Sequence, residues 1–280
     1  MLDDRKNKRV RIMFFGDLAL NITPNRDLRR NDYDYNIFGN VTQLFKQADL
    51  VIGNLESPLP GDGRENLLKK PRVIANSDTF EHLVELNPTI LCLANNHMYD
   101  ALEIGYKKTI NFLHENNISY LGAGFSIEEA GRPLIIEKNG VRLGLLNYIT
   151  KDTNPNLPEN RNFELSFFDL DKAIRDLKDL YSITDIRIIM LHWGIEYFRI
   201  PTPDQQRIAK TLSESGANFI MGHHSHTVQP VVRYNNSLIA YGLGNFFFPN
   251  IYFDGRLHRE WEKPNRRSVI IDITIHKNGS

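Results

Sequence analysis

The 280-residue chain has a single cysteine, Cys92, and no excess of charge of either sign. One cysteine excludes a disulfide within the chain and fits a reducing compartment, and the lack of paired cysteines argues against a structural zinc knuckle. Lysine plus arginine and aspartate plus glutamate number 34 each. Because no overall charge steers the chain toward nucleic acid, any substrate must be recognised by a local site.

Long apolar runs are also missing. No segment approaches the roughly 20 apolar residues of a membrane span, and the charged lead-in at residues 1–9 is not followed by a signal-peptide core. We therefore expect no membrane span and a cytoplasmic or membrane-associated protein. With 41% hydrophobic residues, the chain can form a large core, and we expect one domain over residues 1–280. Cys92, in the apolar run TILCLA, is predicted to be buried as a small hydrophobic residue.

Short apolar runs alternate along the chain with amphipathic stretches. The run VRIMFFG predicts a first strand over residues 10–16, ending at Gly16-Asp17. Helices are predicted near 37–48, 101–116, 169–180 and 204–215. Strands that alternate with helices favour a parallel sheet.

Turn and cap residues predict a helix start, two hairpins and a loop. Ser77 is the predicted N-cap of a further helix. Two hairpins are predicted, one turning at Asn139-Gly140 and the other at Asn235-Asn236. The segment 150–168, which contains TNPNLPEN, is predicted to be a mobile surface loop. Since hairpins require antiparallel pairing, the fold class is α/β with mixed β-sheets.

Acids, amides and histidines follow five of the predicted strands. Any one of these residues alone could be a turn-forming residue or a histidine that only makes structural hydrogen bonds. In such folds, however, ligands bind at the carboxyl ends of strands, and all of these residues lie at such ends. Carboxylate oxygen, amide oxygen and imidazole nitrogen together suit zinc, manganese or iron. The residues concerned are Asp17, Asn54, Glu56, Asn96, His97, His192 and the histidines of GHHSHT.

The stretch GHHSHT contains three of the nine histidines. If residues 222–226 are extended, His224 and His226 project to one side and His223 to the other. We therefore expect His224 and His226 to bind a metal as a pair. His223 is expected to point away, so that its substitution leaves metal binding nearly intact.

Six ordered motifs resemble the bacterial capsule-synthesis CapA (poly-γ-glutamate) family, a branch of the calcineurin-like metallophosphatases. They are FFGDLAL, ADLVIGNLESPL, LANNHMYD, LHWGIEY, GHHSHTVQP and IAYGLGNFFF. The resemblance implies a four-layer α/β/β/α sandwich with mixed β-sheets. It also implies one or two divalent metal ions, with manganese, iron or zinc expected.

The resemblance assigns roles residue by residue. It implies metal ligands at Asp17, Glu56, Asn96, His192, His224 and His226. His97 is expected to act on the leaving group, with Asp100 orienting it. Residues expected to line the pocket or contact substrate are Asn54, Trp193, Glu196 and Asn245. Ala19 stands where the wider superfamily has a histidine, so one ligand of the first metal is missing.

The expected function is a metal-dependent hydrolase, acting on a phosphoester in bacterial capsule, envelope-polysaccharide or poly-γ-glutamate metabolism. A divalent ion can polarise a phosphoryl oxygen, and a histidine can protonate the leaving group. Two alternatives stay open. One is a non-hydrolytic accessory protein that binds a glycan or polyglutamate during capsule assembly. The other is a metal-dependent hydrolase of γ-glutamyl amides.

Overall fold

Two mixed six-stranded sheets form the centre of the protein in a computed structural model that describes residues 9–22 and 37–277. Strands and helices are numbered in chain order. The first sheet contains β1 (Arg9–Leu18), β2 (Leu50–Leu55), β3 (Ile90–Cys92), β4 (Ser119–Leu121), β13 (Asn245–Phe247) and β16 (Ile271–His276). The second contains β6 (Leu134–Lys138), β7 (Val141–Ile149), β9 (Ile186–His192), β10 (Phe219–His223), β11 (Val231–Tyr234) and β12 (Ser237–Ala240). The lead-in at 1–9 lies outside the described residues, except for Arg9.

Most strands in both sheets are parallel. In the first sheet the order is β13-β1-β2-β3-β4 with parallel neighbours, and β16 pairs antiparallel with β1. In the second the order is β11-β12-β10-β9-β7-β6, and only the edge strands β11 and β6 are antiparallel to their neighbours. The parallel strands therefore carry their carboxyl ends to a common edge.

Both predicted hairpins are confirmed. The β6–β7 turn has positive φ at Asn139 and Gly140, and the β11–β12 turn has positive φ at Asn235. Asparagine and glycine tolerate this left-handed backbone better than other residues. Two short ribbons complete the strands: β5 (Ala123–Gly124) with β8 (Glu164–Leu165), and β14 (Ile251–Phe253) with β15 (Arg256–Arg259).

Alternating apolar side chains on β1 link the layers. Ile12 and Phe14 belong to the core between the two sheets, whereas Met13 and Phe15 belong to the core between the first sheet and its helices. A third core lies between the second sheet and its helices, with Ile189 from β9 as a member. This arrangement confirms the four-layer α/β/β/α sandwich. Cys92 is buried in the core between the sheets, as predicted.

Seven α-helices occur in the described residues. They are α1 (Val41–Phe45), α2 (Ser77–Phe80), α3 (His82–Leu86), α4 (Leu102–Glu115), α5 (Ile127–Ala130), α6 (Leu170–Tyr181) and α7 (Pro203–Glu214), with 3-10 helices at Lys151–Thr153 and Lys263–Arg266. The predictions near 101–116, 169–180 and 204–215 are confirmed by α4, α6 and α7. Throughout 9–22 and 37–277, every helix is too short or too polar to cross a membrane.

Three local predictions need correction. The N-cap of α2 is Asn76, whose side chain accepts from the Asp78 amide, and Ser77 is the first helical residue. The helix predicted near 37–48 is helical only over Val41–Phe45. β1 continues past the predicted end at Gly16-Asp17 to Leu18: the Asp17 amide donates to the Gly244 carbonyl at 2.9 Å, and Leu18 pairs with Leu55 on β2.

Candidate metal centre

Side chains from both sheets meet at the carboxyl ends of their parallel strands. Asp17 on β1 lies directly opposite Asn54 on β2, and His223 on β10 lies opposite His192 on β9. All the metal ligands expected from the sequence are buried, namely Asp17, Glu56, Asn96, His192, His224 and His226. The fold therefore brings residues from distant parts of the chain into one enclosed site.

Two overlapping groups of side chains could each hold an ion. One group is Glu56, His192 and His224, and the other is Asp17, Glu56 and His226. Within each group the ligand atoms lie within 4.8 Å of one another. Glu56 belongs to both groups.

Atoms at the centre of these groups fit a metal better than they fit each other. Glu56 Oε1 and His224 Nδ1 are buried without a hydrogen-bond partner in the described residues. Glu56 Oε1 lies 3.7 Å from His192 Nε2 and 3.8 Å from His226 Nε2. Two ligands of one tetrahedral ion, each at about 2.1 Å, are roughly 3.4 Å apart. Burying unpaired polar atoms at this spacing would lower the free energy of unfolding unless a cation lay between them.

Burial and charge set the protonation states of the site. Burial, with the negative charges of Asp17 and Glu196, raises the pKa of Glu56 well above its usual value. A bound cation would reverse this effect because it stabilises the ionised carboxylate. Burial lowers the pKa of His224 to about 3 and lowers that of His192 well below the usual value, so both are neutral imidazoles. Neutral imidazole is the form that binds a metal.

Asp17 is held by three hydrogen bonds. Its Oδ1 accepts from Asn54 Nδ2 at 2.9 Å and from His223 Nδ1 at 3.0 Å, and its Oδ2 accepts from the His224 amide at 3.2 Å. Burial alone would raise the pKa of Asp17, but the hydrogen bonds from His223 and Asn54 and the charges of His223 and His226 together outweigh it and lower this pKa. Asp17 is thus fixed in place as an ionised carboxylate.

His223 does not point away from the site, contrary to the expectation. β10 ends at His223, and the backbone then turns through positive φ at His224 (85°) and His226 (52°). The alternation of an extended strand therefore stops at His223, which faces Asp17, while His224 and His226 enter different ligand groups. His224 and His226 are both at the site, as predicted, but they do not form a pair of ligands for one ion.

His97 and Asp100 form a buried pair beside the ligand groups. Asp100 Oδ2 lies 2.6 Å from His97 Nδ1 and also accepts from the Val73 amide at 2.6 Å. Burial, and then the positive charge of Lys69, lower the pKa of His97 well below its usual value. The bond to Asp100 occupies Nδ1, which leaves Nε2 as the nitrogen that can exchange a proton with a substrate.

Two amides orient other site residues. Asn54 Nδ2 donates to Asp17 and, at 3.1 Å, to Glu56 Oε2. Asn245 Oδ1 accepts from His226 Nδ1 at 2.8 Å, which leaves His226 Nε2 for an ion. Both residues were expected to contact substrate, but their side chains are committed to ligand residues. Asn96 Oδ1 lies 2.9 Å from His192 Nε2, beside the group formed by Glu56, His192 and His224. This amide oxygen could therefore bind the same ion as that group.

Of the other two predicted pocket residues, Glu196 lies near the site and Trp193 does not. Trp193 is 1% exposed, donates to the Tyr241 carbonyl and packs in the core on the helix side of the second sheet. The expectation that it lines the pocket is therefore wrong, because it follows His192 on the opposite face of the chain. Glu196 stays near the site: the charges of His226 and His224 counter the effect of burial and lower its pKa.

The structure explains the missing histidine at Ala19. Ala19 packs in a small apolar cluster with Val73, Phe248, Ile251 and Trp261. The ring of His226 packs against this cluster, with its centroid 5.1 Å from those of Phe248 and Trp261. Asp17, Glu56 and His226 still form a complete group of three without it.

Loop residues that were not predicted from the sequence also support the ligands. Asn95 Nδ2 donates to Asn54 Oδ1 at 3.2 Å, and Asn265 Nδ2 donates to the His226 carbonyl at 3.0 Å. Asn95 precedes the predicted ligand Asn96, so its place was signalled by ANNH. Lys69 is also buried near the site, and no pattern in the sequence marks it.

Comparisons of sequence identify related proteins. A family model described as bacterial capsule synthesis protein PGA_cap matches residues 11–250. The chain is 32% identical to the capsule biosynthesis protein CapA of Bacillus anthracis, covering 99% of this chain and 66% of the relative. It is 28% identical to the PGA biosynthesis protein CapA of Bacillus subtilis, covering 95% and 68%. A probable polyglutamine synthesis accessory protein of Mycobacterium tuberculosis is 26% identical, covering 71% and 55%. The chain thus spans two thirds or less of the length of two of these relatives.

Comparisons of structure identify the fold. A putative 5'-nucleotidase from Staphylococcus aureus superposes with a TM-score of 0.55 and 16% identity, covering 84% of this chain and 49% of that one. The calcineurin-like phosphoesterase YfkN from Bacillus subtilis superposes with a TM-score of 0.50 and 12% identity, covering 97% and 91%. The chain therefore has the calcineurin-like phosphoesterase fold.

Proposed function

The chain belongs to the bacterial capsule synthesis family, and we propose that within it this chain is a metal-dependent hydrolase that cleaves a phosphoester. One observation carries the proposal: two groups of buried ligand atoms share Glu56 and lie beside the His97–Asp100 pair. The donors are oxygen and nitrogen, which suits manganese, iron or zinc. The physiological setting is proposed from the names of the relatives, which refer to capsule, PGA and polyglutamine synthesis.

The residues divide into binding and proton-transfer roles. Glu56, His192 and His224 would hold one ion, and Asp17, Glu56 and His226 would hold another. Divalent ions bound there would supply Lewis-acid activation of a phosphoryl oxygen and of water. Asn54 and Asn245 keep the carboxylates and His226 in position through the hydrogen bonds described above.

His97 would complete the reaction by proton transfer. Burial raises the pKa of Asp100 well above its usual value, so its carboxyl group can keep a proton and donate it to His97 Nδ1; Nε2 then carries the proton that passes to the leaving alkoxide. A well-placed general acid contributes about a hundred- to ten-thousandfold to the rate. Burial of this pair keeps bulk water from competing for the proton.

The test is turnover by the purified, metal-loaded chain. We expect hydrolysis of an aryl phosphate with manganese, and we expect His97→Ala to lower kcat about a hundredfold or more while the bound metal is retained. His276→Ala is the matched control, because His276 is exposed on β16. A γ-glutamyl anilide assayed in parallel reports whether the bond cleaved is an amide.

A second candidate is a non-hydrolytic accessory protein that binds polyglutamate or a glycan at the same site. It is favoured by the apolar cluster that replaces a ligand at Ala19 and by the word accessory in the name of one relative. Metal-loaded protein without turnover on any of these substrates, but with metal-dependent binding of oligoglutamate, would select this candidate. If purified protein takes up no metal, the site assignment itself fails.

A further inference from the structure

A buried lysine lies beside the metal centre and is not used by the proposed chemistry. Lys69 is 5% exposed. Among the residues at 9–22 and 37–277, the other buried cation is Arg187, which donates to the carbonyls of Thr184 and Gly216 at the start of β9. The carboxyl end of β9 carries the site, so Arg187 lies at the opposite end of the strand.

The loop that carries Lys69 is attached to the proton-transfer pair at both ends. The Asn66 amide donates to the Asp100 carbonyl at 2.9 Å, and the Val73 amide donates to Asp100 Oδ2 at 2.6 Å. Residues 66–73 therefore wrap around Asp100, the partner of His97. The positive charge of Lys69 acts on Glu56 and on Asp100. Lys69 is therefore within electrostatic reach of both the metal-ligand groups and the His97–Asp100 pair.

The ammonium group of Lys69 has unused hydrogen-bonding capacity. Its Nζ donates to the Asn154 carbonyl at 2.9 Å, and within the part of the chain that the structure describes no carboxylate lies within 4.0 Å of it. An ammonium has three N–H donors. A buried cation with one neutral partner is poised to receive a negatively charged group.

Charge at the site creates a need for such a cation. Asp17, Glu56 and Asp100 are buried carboxylates, and Glu196 adds a fourth acid near His226. An anionic substrate entering among these acids would be repelled by each one that is ionised and not bound to a metal ion. In the part of the chain that the structure describes, Lys69 is the one buried ammonium positioned to offset that repulsion.

We propose that Lys69 is an anion-binding residue of this site, whose ammonium group receives a phosphoryl or carboxylate oxygen of the substrate. The inference rests on the proposed function for the identity of the substrate, but it concerns anion binding and not turnover. Asn154 would hold the ammonium in place between substrates, since its carbonyl is a neutral partner that an anion can replace.

Two substitutions separate charge from a merely structural contact. Lys69→Gln keeps a donor for the Asn154 carbonyl and removes the charge, whereas Lys69→Met removes both. The matched control is Lys108→Met, because Lys108 also donates to one backbone carbonyl, that of Gly61 at 2.8 Å, but is exposed. Melting temperature and bound manganese are measured for every variant.

The decisive readout is calorimetric binding of inorganic phosphate and of triglutamate to the manganese-loaded protein. We expect Lys69→Gln and Lys69→Met to weaken binding of at least one anion about ten- to a hundredfold, while Lys108→Met has no effect. The anion more affected identifies the group that Lys69 receives. In enzymatic assays the same variants should raise KM more than they lower kcat.

Three results would overturn the proposal: wild-type protein that binds neither anion, Lys69→Gln that binds both as tightly as wild type, or a loss confined to Lys69→Met. The last result would make Lys69 a structural link to the loop at Asn154. If Lys69→Met does not fold, Lys69→Gln alone decides. Since binding is measured without turnover, a protein that binds phosphate through Lys69 but hydrolyses nothing would refute the hydrolase and leave this inference intact.

Discussion

Replacing His223 with alanine should weaken metal binding, although His223 belongs to neither ligand group. His223 Nδ1 provides one of the three hydrogen bonds that hold Asp17, at 3.0 Å. The other two come from Asn54 and the His224 amide. Without His223, the carboxylate has fewer constraints on its orientation, and its pKa rises toward the value that burial favours.

The size of the effect follows from that single bond. A hydrogen bond to a charged group contributes about 1.5–3 kcal/mol. At about 1.4 kcal/mol per tenfold change in affinity, its loss corresponds to roughly a ten- to hundredfold weaker metal affinity. Residues that support ligands in metalloproteins have effects of about the same size.

The assay is competition for manganese or zinc between the protein and a fluorescent chelator. His223→Asn is the matched control, because its Nδ2 can donate to Asp17 from nearly the place of His223 Nδ1, and it should keep most of the affinity. Equal affinity in wild type and His223→Ala, with unchanged melting temperature, would refute the role of His223. That result would agree with the original expectation that substitution of His223 leaves metal binding nearly intact.

Three further predictions concern stability and reactivity. Burial raises the pKa of the Cys92 thiol, so at pH 8–9 it stays protonated in the folded protein, and iodoacetamide should label it only after unfolding, as followed by mass spectrometry. Thr202→Ala breaks the capping box with Gln205 at the start of α7 and should cost about 1 kcal/mol in chemical denaturation, without a change in metal content; an unchanged midpoint would contradict this. Removal of metal should lower the melting temperature, because an ion at about 100 times its Kd adds about 2.7 kcal/mol to the free energy of unfolding; identical melting with and without chelator would contradict a bound ion.

The features predictable from sequence are those that repeat a local pattern. α4, α6 and α7 and the two hairpins follow from apolar spacing and from Asn139-Gly140 and Asn235-Asn236. The gathering of ligands follows from a general property of parallel strands, whose carboxyl ends share an edge. These predictions needed no knowledge of which segments contact one another.

Predictions failed where tertiary contacts override the local pattern. The backbone after β10 is left-handed at His224 and His226. Histidine adopts this conformation more often than most residues, but nothing in GHHSHT indicates which of its histidines would do so. Trp193 follows a ligand in sequence but packs against Tyr241 in the core. Lys69 reaches the site because residues 66–73 bind Asp100, and no periodicity in that segment indicates it.

We propose that Glu56 joins two metal positions. The most direct test is anomalous diffraction from crystals grown with manganese. We expect two anomalous peaks, one contacted by Glu56, His192 and His224 and the other by Asp17, Glu56 and His226. Manganese bound elsewhere, or crystals without a peak at Glu56 under saturating manganese, would contradict it.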